Sequence, residues 1–378
     1  MTIEPQLTLV TGFWPQPNQS IRTSTVYVRL FEELIAHIDG ALPVVCCADP
    51  SLDDVLTKAI APFPNVRLAP IPRSDLRYVR EHARFADLVP ANSSNPIRDT
   101  IDYAEIVWSK PDVVNRVARD VDTTHVGWID FGLPHVVELM DVDWQEVIEE
   151  SVRTDRIRVC ERYATSPGEV TDPWYFYSNN SARIAGGLIT GGKNVWHEFT
   201  ENFDKEIERM VPTGTYALEE QVLAALTVQQ PDMFERWFAD YFGMLKNIRH
   251  VRRDVETVLT NLHHCRADGI PATGANIVRV LLDSGASHLR LEPEQCFHTL
   301  DDGLACAVQA DPDLADILAK TALSLFHYSR LGRGMMKGTW RRSLAENLKK
   351  RDLEFTDRPW TWEEMTARPE FPIWMSCF

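Results

Sequence analysis

Apolar positions along the chain alternate between short continuous runs and longer stretches of helical spacing. Residues 7–13 (LTLVTGF) form an apolar run of strand length, followed by a turn-rich loop at Trp14, Pro15, Pro17 and Asn18. From about Ser24 to Ile38 the apolar residues Val28, Leu30, Phe31, Leu34, Ile35 and Ile38 recur every three or four positions, which predicts an amphipathic helix. Pro43–Ala48 is a compact β-branched and cysteine run, hence a second buried strand. A helix with Ser51 as N-cap and Asp54 three residues on follows, then a third strand over Val66–Ile71. Strand, helix, strand, helix, strand predicts an α/β fold with a mostly parallel sheet and right-handed crossovers.

Residues 125–132 (HVGWIDFG) are the stretch around which the rest is organised. They form a short apolar strand that breaks off at one carboxylate, Asp130, followed by Phe131 and Gly132. Open α/β sheets place ligand chemistry at such carboxyl edges, although an isolated strand-end Asp also serves as a turn former. Before this stretch, a helical segment from about Asp99 to Asp120 carries Trp108 and Lys110 and must kink or restart at Pro111. After it, Asp143 with Glu146 marks a helix start, and Arg156–Tyr163 reads as a further strand.

Residues 184–192 (IAGGLITGG) hold two glycine pairs around a three-residue apolar core, so the backbone there either approaches something closely or turns sharply, twice. Trp196, Phe199, Phe203, Ile207 and Met210 then mark an amphipathic helix. Leu218–Leu223 places Glu219, Glu220 and Gln221 at the start of another, where acids suit the helix dipole. From about Lys246 the signal is almost wholly helical. The expected division is therefore an α/β domain over 1–245 and a helical region over 246–378, whose aromatic end (Trp360, Trp362, Phe371, Trp374, Phe378) should pack back on the body.

The charge balance narrows the function. A formal net charge of −16 argues against phosphate-backbone binding, so no nucleic-acid partner is expected. Two basic groupings stand out against it. Arg73, Arg77, Arg80 and Arg84 would share a helix face, as either a solvated surface or an anion-facing stripe. Residues 330–351 hold eight Lys and Arg against Glu346 alone, either a solvated face or a contact for phosphate or an acidic partner. Seven cysteines, none spaced CxxC, read as reduced and mostly buried thiols. His263, His264 and Cys265 cluster without a second pair at zinc-ligand spacing. The first strand lacks GxGxxG, which disfavours a nicotinamide or flavin cofactor. No signal-peptide pattern or membrane-spanning run is present, so a cytoplasmic protein is expected.

Thr8–Phe13, Trp108–Pro111, Trp128–Gly132, Ile184–Gly187 with Gly191–Gly192, and Glu220–Gln221 together resemble the HtrL/YibB-like family, grouped with GT-A-type glycosyltransferases, over roughly residues 7–245. The resemblance implies a GT-A-like nucleotide-sugar-binding domain and an enzyme that moves a sugar from a nucleotide-sugar donor to a glycan or small-molecule acceptor. It implies that Thr11, Gly12, Phe13, Lys110, Trp128 and Gly132 bind the donor, and that Gly186 and Gly187 lie along the sugar and acceptor. Asp130, Glu220 and Gln221 would carry the chemistry.

GT-A enzymes commonly hold Mn²⁺ or Mg²⁺ through a DxD motif. Here Asp130 stands alone, so it either binds the cation with waters or binds sugar hydroxyls, Lys110 or the basic patch then neutralising the diphosphate. Where the family more often has Asp-Gln, this chain has Glu220-Gln221, leaving Glu220 as a general base or a sugar-positioning group. The alternatives are a non-catalytic nucleotide-sugar or carbohydrate-binding protein of the same fold, or a helical scaffold recruiting an acidic partner through 330–351.

Overall fold

In a computed structural model of the chain, the described residues are 6–16, 23–38, 40–92, 95–162, 165, 167–178, 180, 183–239, 241–249, 262, 263, 265, 266, 271–283, 293–328, 345–350, 359–361, 363, 364 and 367. They fall into two compact units, within residues 1–252 and 253–378. The first unit runs past the expected limit of 245 because residues 241–249 stay bonded to its sheet. Trp237 Nε1 donates to Met244 O at 2.8 Å, and Arg158 Nη2 donates to Ile248 O at 2.9 Å.

In chain order the first unit contains β1 (Leu7–Phe13), α1 (Ser24–Ile38), β2 (Val44–Ala48), α2 (Asp53–Ile60) and β3 (Val66–Leu68). Short helices α3 (Arg77–Arg80) and α4 (His82–Phe85) and strand β4 (Val89–Pro90) follow, then α5 (Ile101–Trp108), α6 (Lys110–Ala118) and β5 (His125–Ile129). The remainder is α7 (Trp144–Ser151), β6 (Ile157–Glu161), α8 (Pro167–Thr171), α9 (Pro173–Tyr177), β7 (Ile184–Gly192), α10 (Val195–Met210), β8 (Thr215–Tyr216), α11 (Glu219–Gln229) and β9 (Phe234–Phe238).

Seven strands make one sheet in the order β3-β2-β1-β5-β7-β6-β9, and β4 pairs with β8 in a second, two-stranded sheet. Within the large sheet only β7 runs against its neighbours, so the sheet is mostly parallel, as the strand–helix alternation predicts. Alternate strand residues bury into two cores. Val10, Val126 and Trp128 join the layer of α5, α6, α10 and α11, whereas Leu9 and Ile129 join that of α1, α2 and α7.

The chain leaves β1 in one direction to build β2 and β3, and later returns to place β5 on the other side of β1. The strand order therefore reverses between β1 and β5, and the crevice beyond their carboxyl ends is where such sheets bind ligands.

Several local expectations are corrected. Ser51 does not cap α2: Pro50 opens a 3₁₀ turn capped by Asp49, whose Oδ1 accepts from Ser51 N at 3.0 Å, and Leu52 at the start of α2 makes no side-chain cap bond. The glycine-rich stretch makes no turn, because 184–192 is one continuous, wholly buried strand. Its glycines answer to close approach: a Cβ on Gly186 would lie 2.7 Å from Glu219 Oε1, and one on Gly187 2.9 Å from Leu133 Cδ1. Trp14 lies in the loop after β1, as expected, and there it is buried and donates from Nε1 to Ile71 O at 2.8 Å.

The arginine stripe is not one helix face either. A 3₁₀ turn at Arg73–Asp75 and a break between α3 and α4 divide it. Arg73 pairs with Asp102, Arg77 with Asp204, and Arg84 with Glu208, so these three guanidiniums are engaged by carboxylates.

The second unit contains helices α12 (Pro271–Asp283), α13 (Pro293–Ala310) and α14 (Pro312–Tyr328), consistent with the helical signal. Trp360 N donates to Ser324 Oγ at 3.2 Å, tying the start of the aromatic end to α14; the other aromatic residues of that end lie outside the described residues. So do residues 330–344 and 351 of the basic patch. The five described cysteines are buried. Among the described residues no helix is long and apolar enough to cross a membrane.

Candidate active site

A cavity of about 110 Å³ lies in the crevice beyond β1 and β5. The end of β1 and its turn supply Gly12, Phe13, Trp14 and Gln16. The end of β5 and its turn supply Trp128, Asp130, Phe131, Gly132 and His135. Tyr103, Ile106, Val107 and Lys110 close one side, and Tyr27 lies opposite. The first four recur at helical spacing, so the helical segment before β5 turns one face to the cavity even though α5 ends at Trp108 and α6 begins at Lys110.

The cavity wall is aromatic. Phe131 stacks on Phe13 and on Phe31, with ring centroids 5.2 and 4.4 Å away. Tyr27 lies 4.8 Å from Phe13, and a Cβ at Gly132 would come within 2.9 Å of the Tyr27 ring. Glycine at 132 thus lets an aromatic ring sit on the backbone that leaves Asp130.

Behind the aromatic wall lies a buried charge cluster. Lys110 Nζ donates to Asp130 Oδ1 at 2.8 Å, to Glu219 Oε1 at 2.6 Å and to Gly186 O at 3.4 Å, which engages all three N–H groups. Its side chain is 7% exposed, and Trp128 stands beside it with the ring centroid 5.5 Å from Nζ. Burial alone would lower the pKa of this amine, but the charges of Asp130 and Glu219 outweigh burial and hold it well above its usual value. Trp128 Nε1 donates to the same Asp130 Oδ1 at 2.6 Å, and Asp130 N donates to Gly187 O at 2.9 Å. Asp130 is the most open member of the cluster, with 39% of its side chain exposed. Its Oδ2 is bonded by no other described residue.

Glu220 lies next to Glu219 at the start of α11 and is buried. Its Oε1 accepts from Gly186 N at 3.2 Å and from the hydroxyl of Tyr241. Burial, followed by the charge of Glu219, raises its pKa to about 7, against the opposing influence of the Tyr241 hydrogen bond and of Arg98 and Arg162. Arg162 lies over the Tyr241 ring, 4.0 Å from its centroid. A carboxyl group poised near neutrality can both accept and release a proton.

The structure brings Gly12, Phe13, Lys110, Trp128, Asp130 and Gly132 to one cavity, with Gly186 and Glu220 just behind it. It does not bring Thr11 or Gln221 there. Thr11 is fully buried within β1 and does not line the cavity. Gln221 points away, donating from Nε2 to Phe176 O at 2.9 Å and so holding α9 against α11. Gly187 packs its Cα face against Leu133 and Met244.

Sequence pattern passes over Glu219, Tyr103 and Tyr241. The helix dipole accounts for Glu219 on its own; the signal against that reading is that α11 has no polar face on which two acids could be solvated, residues 219–227 all being buried.

Whether a divalent cation fits can be judged from these oxygens. The position between Asp130 and Glu219 is filled by the Lys110 ammonium, and Asp130 Oδ1 is also taken by Trp128. Glu220 Oε1 carries two donors of its own. Among the described residues no three His, Cys, Asp or Glu side chains are grouped to hold a metal ion. A divalent ion on Asp130 Oδ2 would share its carboxylate with a resident ammonium, a repulsive arrangement. The donor set as it stands does not fit a metal.

A second, larger cleft of about 680 Å³ opens at the opposite edge of the sheet, where Thr124 precedes β5 and Gly192 ends β7. Its charged lining is mixed (Arg156 and Lys193 against Asp155, Glu198 and Asp232), and it holds none of the catalytic, donor-side or acceptor-side residues expected from sequence.

A family model described as a bacterial protein of unknown function (HtrL_YibB) matches residues 77–250, which include α3 through β9 and hence Lys110, Asp130, Glu219 and Glu220. No curated protein sequence matches the chain. Among solved structures, the chain is similar to mouse xyloside xylosyltransferase 1 in its apo form (8% identity, 65% of this chain and 93% of that one, TM-score 0.34). It is also similar to a 4-diphosphocytidyl-2C-methyl-D-erythritol synthase from Anaerococcus prevotii (8% identity, 69% and 97%, TM-score 0.34). A third is a manganese complex of a protein from Mycobacterium tuberculosis H37Rv (13% identity, 57% and 87%, TM-score 0.29).

Proposed function

We propose that the chain is a GT-A-type glycosyltransferase that moves a sugar from a nucleotide-sugar donor to a glycan or small-molecule acceptor. In this reading the first unit, within residues 1–252, is catalytic. The observation that carries the reading is the position of the Asp130, Lys110, Glu219 and Glu220 cluster. Lys110 and Asp130 line an aromatic cavity at the point where the strand order reverses, with Glu219 and Glu220 behind them.

The cavity has room for one sugar-sized ring and not for a whole nucleotide-sugar, so most of the donor would lie across the open edge of the crevice. Phe13, Tyr27 and Tyr103 offer ring faces and hydroxyls. Asp130 Oδ2 offers an acceptor to a vicinal pair of hydroxyls, either of a ribose or of the transferred sugar. Gly186 lets the backbone come close to the two glutamates. Glu220 is the group assigned to proton transfer: as a base it takes the proton of the acceptor hydroxyl as that oxygen attacks the anomeric carbon and the diphosphate leaves. Gln221 and Thr11 hold the scaffold.

One observation favours a second reading, a nucleotide-sugar or carbohydrate-binding protein without turnover. Asp130 and Glu219 are both already paired with Lys110, which suits recognition as well as catalysis. The readings separate in one experiment. The purified chain is mixed with UDP-, GDP-, CDP- and dTDP-sugars, and both nucleotide release and the melting temperature are followed. The enzyme reading requires nucleotide release that Glu220→Gln removes while the ligand-induced melting shift survives. A melting shift without release in the presence of acceptors supports the binder. No shift with any donor sinks both.

A further inference from the structure

We infer that the ε-ammonium of Lys110 is the resident cation of this site, a tethered positive charge in the place a divalent metal would take between Asp130 and Glu219, so that the site engages its ligand without metal. The inference rests on the cavity being the donor site, but its central claim concerns this chain's own atoms.

Three oxygens from three separate segments surround Nζ: Asp130 Oδ1 at 2.8 Å beyond β5, Glu219 Oε1 at 2.6 Å on α11, and Gly186 O at 3.4 Å on β7. Two carboxylates and a carbonyl converging on one point are a hard-cation donor set. Only the occupant differs, being an amine on the first turn of α6. The surroundings fix that occupant in place. Trp128 adds a second donor to Asp130 Oδ1 and presents its ring to the ammonium. Gly186 has no room for a side chain that would push Glu219 away. A lysine that only neutralised one buried acid would need neither the second carboxylate nor the carbonyl.

The arrangement has a chemical consequence. One positive charge shared between two carboxylates leaves the cluster acidic, with Glu220 adjoining. A diphosphate is therefore not held at this point, and the group that meets Asp130 Oδ2 is a hydroxyl-bearing ring.

The test is manganese uptake, read from the loss of the free-ion electron paramagnetic resonance signal as protein is added. The wild-type chain should leave the free Mn²⁺ signal unchanged. Lys110→Ala should take up one Mn²⁺ per chain, and Lys110→Ala with Asp130→Asn should take up none. Uptake by the wild-type chain that Asp130→Asn abolishes overturns the inference, as does a folded Lys110→Ala chain that takes up no ion. If Lys110→Ala fails to fold, as judged by near-ultraviolet circular dichroism, the wild-type titration and its Asp130→Asn control decide alone.

A separate arm distinguishes this inference from the donor-site reading on which it rests. The melting temperature of the wild-type chain is measured with each nucleoside diphosphate, in EDTA and in Mn²⁺. Equal shifts in both support the inference, and a shift in Mn²⁺ alone overturns it while leaving the transferase reading standing. No shift in either condition overturns the donor-site reading, and the lysine is then judged on manganese uptake.

Discussion

Lys110 and Glu219 are 109 residues apart in the chain and 2.6 Å apart in the fold. Their contact joins the start of α6 to the start of α11 across β7, and both partners are almost fully withdrawn from water. A buried pair of this kind is costly to break from one side, because the partner left behind is a charge without a counterion. Lys110→Met should therefore destabilise the first unit by roughly 3–5 kcal/mol, and Lys110→Met combined with Glu219→Leu by clearly less. Denaturant unfolding of the three proteins checks this. A double variant no more stable than the single one would show that the pair is not coupled in this way.

Gly186 makes a sharper prediction, because its side-chain space is already taken. An added methyl would meet Glu219 Oε1 at 2.7 Å, and both Glu219 Cδ and Glu220 Cγ at 3.4 Å. Ordinarily the end of a glutamate gives way, but this one is held by Lys110. Gly186→Ala should cost about 1–3 kcal/mol and should weaken ligand binding at the same time. Gly214→Ala, at a left-handed turn (φ +72°) with open space around it, should lower stability through backbone strain while leaving ligand affinity unchanged. Parallel melting and titration of the two variants would distinguish the effects.

The pH dependence follows from Glu220. Its pKa rises from 4.5 to about 7 on folding, through burial first and the charge of Glu219 second. The folded state therefore favours the protonated carboxyl. The associated stability is fully present below about pH 4.5 and is lost as the pH climbs through about 7. Relative to Glu220→Gln, the wild-type chain should lose roughly 3 kcal/mol across that window. A difference that stayed flat from pH 4 to 8 would contradict the assigned environment of Glu219, Tyr241, Arg98 and Arg162.

Tyr241 tunes the same group. Its hydroxyl donates to Glu220 Oε1 and so favours the ionised form. Tyr241→Phe should move the titration of Glu220 to higher pH, seen as an alkaline displacement of the acidic limb of activity. The limb should not move when Gln221→Leu is made instead, since that side chain serves Phe176 O.

Much of this site is legible in the amino-acid sequence, for physical reasons. Asp130 ends an apolar strand, and the order of strands and helices fixes which edge of the sheet it marks. The helical spacing of Tyr103, Ile106, Val107 and Lys110 is equally visible, although Pro111 draws attention to the break instead of to the shared face. What pattern alone does not supply is partnership. Glu219 looks like a favourable charge at a helix start, and only the absence of a polar face on α11 distinguishes it. Residues 73–84 err in the other direction: a regular arginine spacing suggests one helix, yet the chain turns twice within it, and Arg73, Arg77 and Arg84 meet carboxylates. The glycine pairs of 184–192 signal close approach correctly and turning wrongly, because the same residue serves both purposes.

The place of β7 has a consequence for how the molecule is made. This strand lies between β5 and β6 in the sheet but follows both in sequence. On a chain emerging from the ribosome amino end first, β5 and β6 are complete while the slot between them is still vacant, and α11 emerges later still. The pocket cannot be complete before residue 220 has emerged, since Gly186, Glu219 and Glu220 all arrive after the cavity walls. Chains halted before residue 184 should be readily cleaved by protease and indifferent to nucleotide. Ligand capture then reports that synthesis has run to the end of the α/β unit.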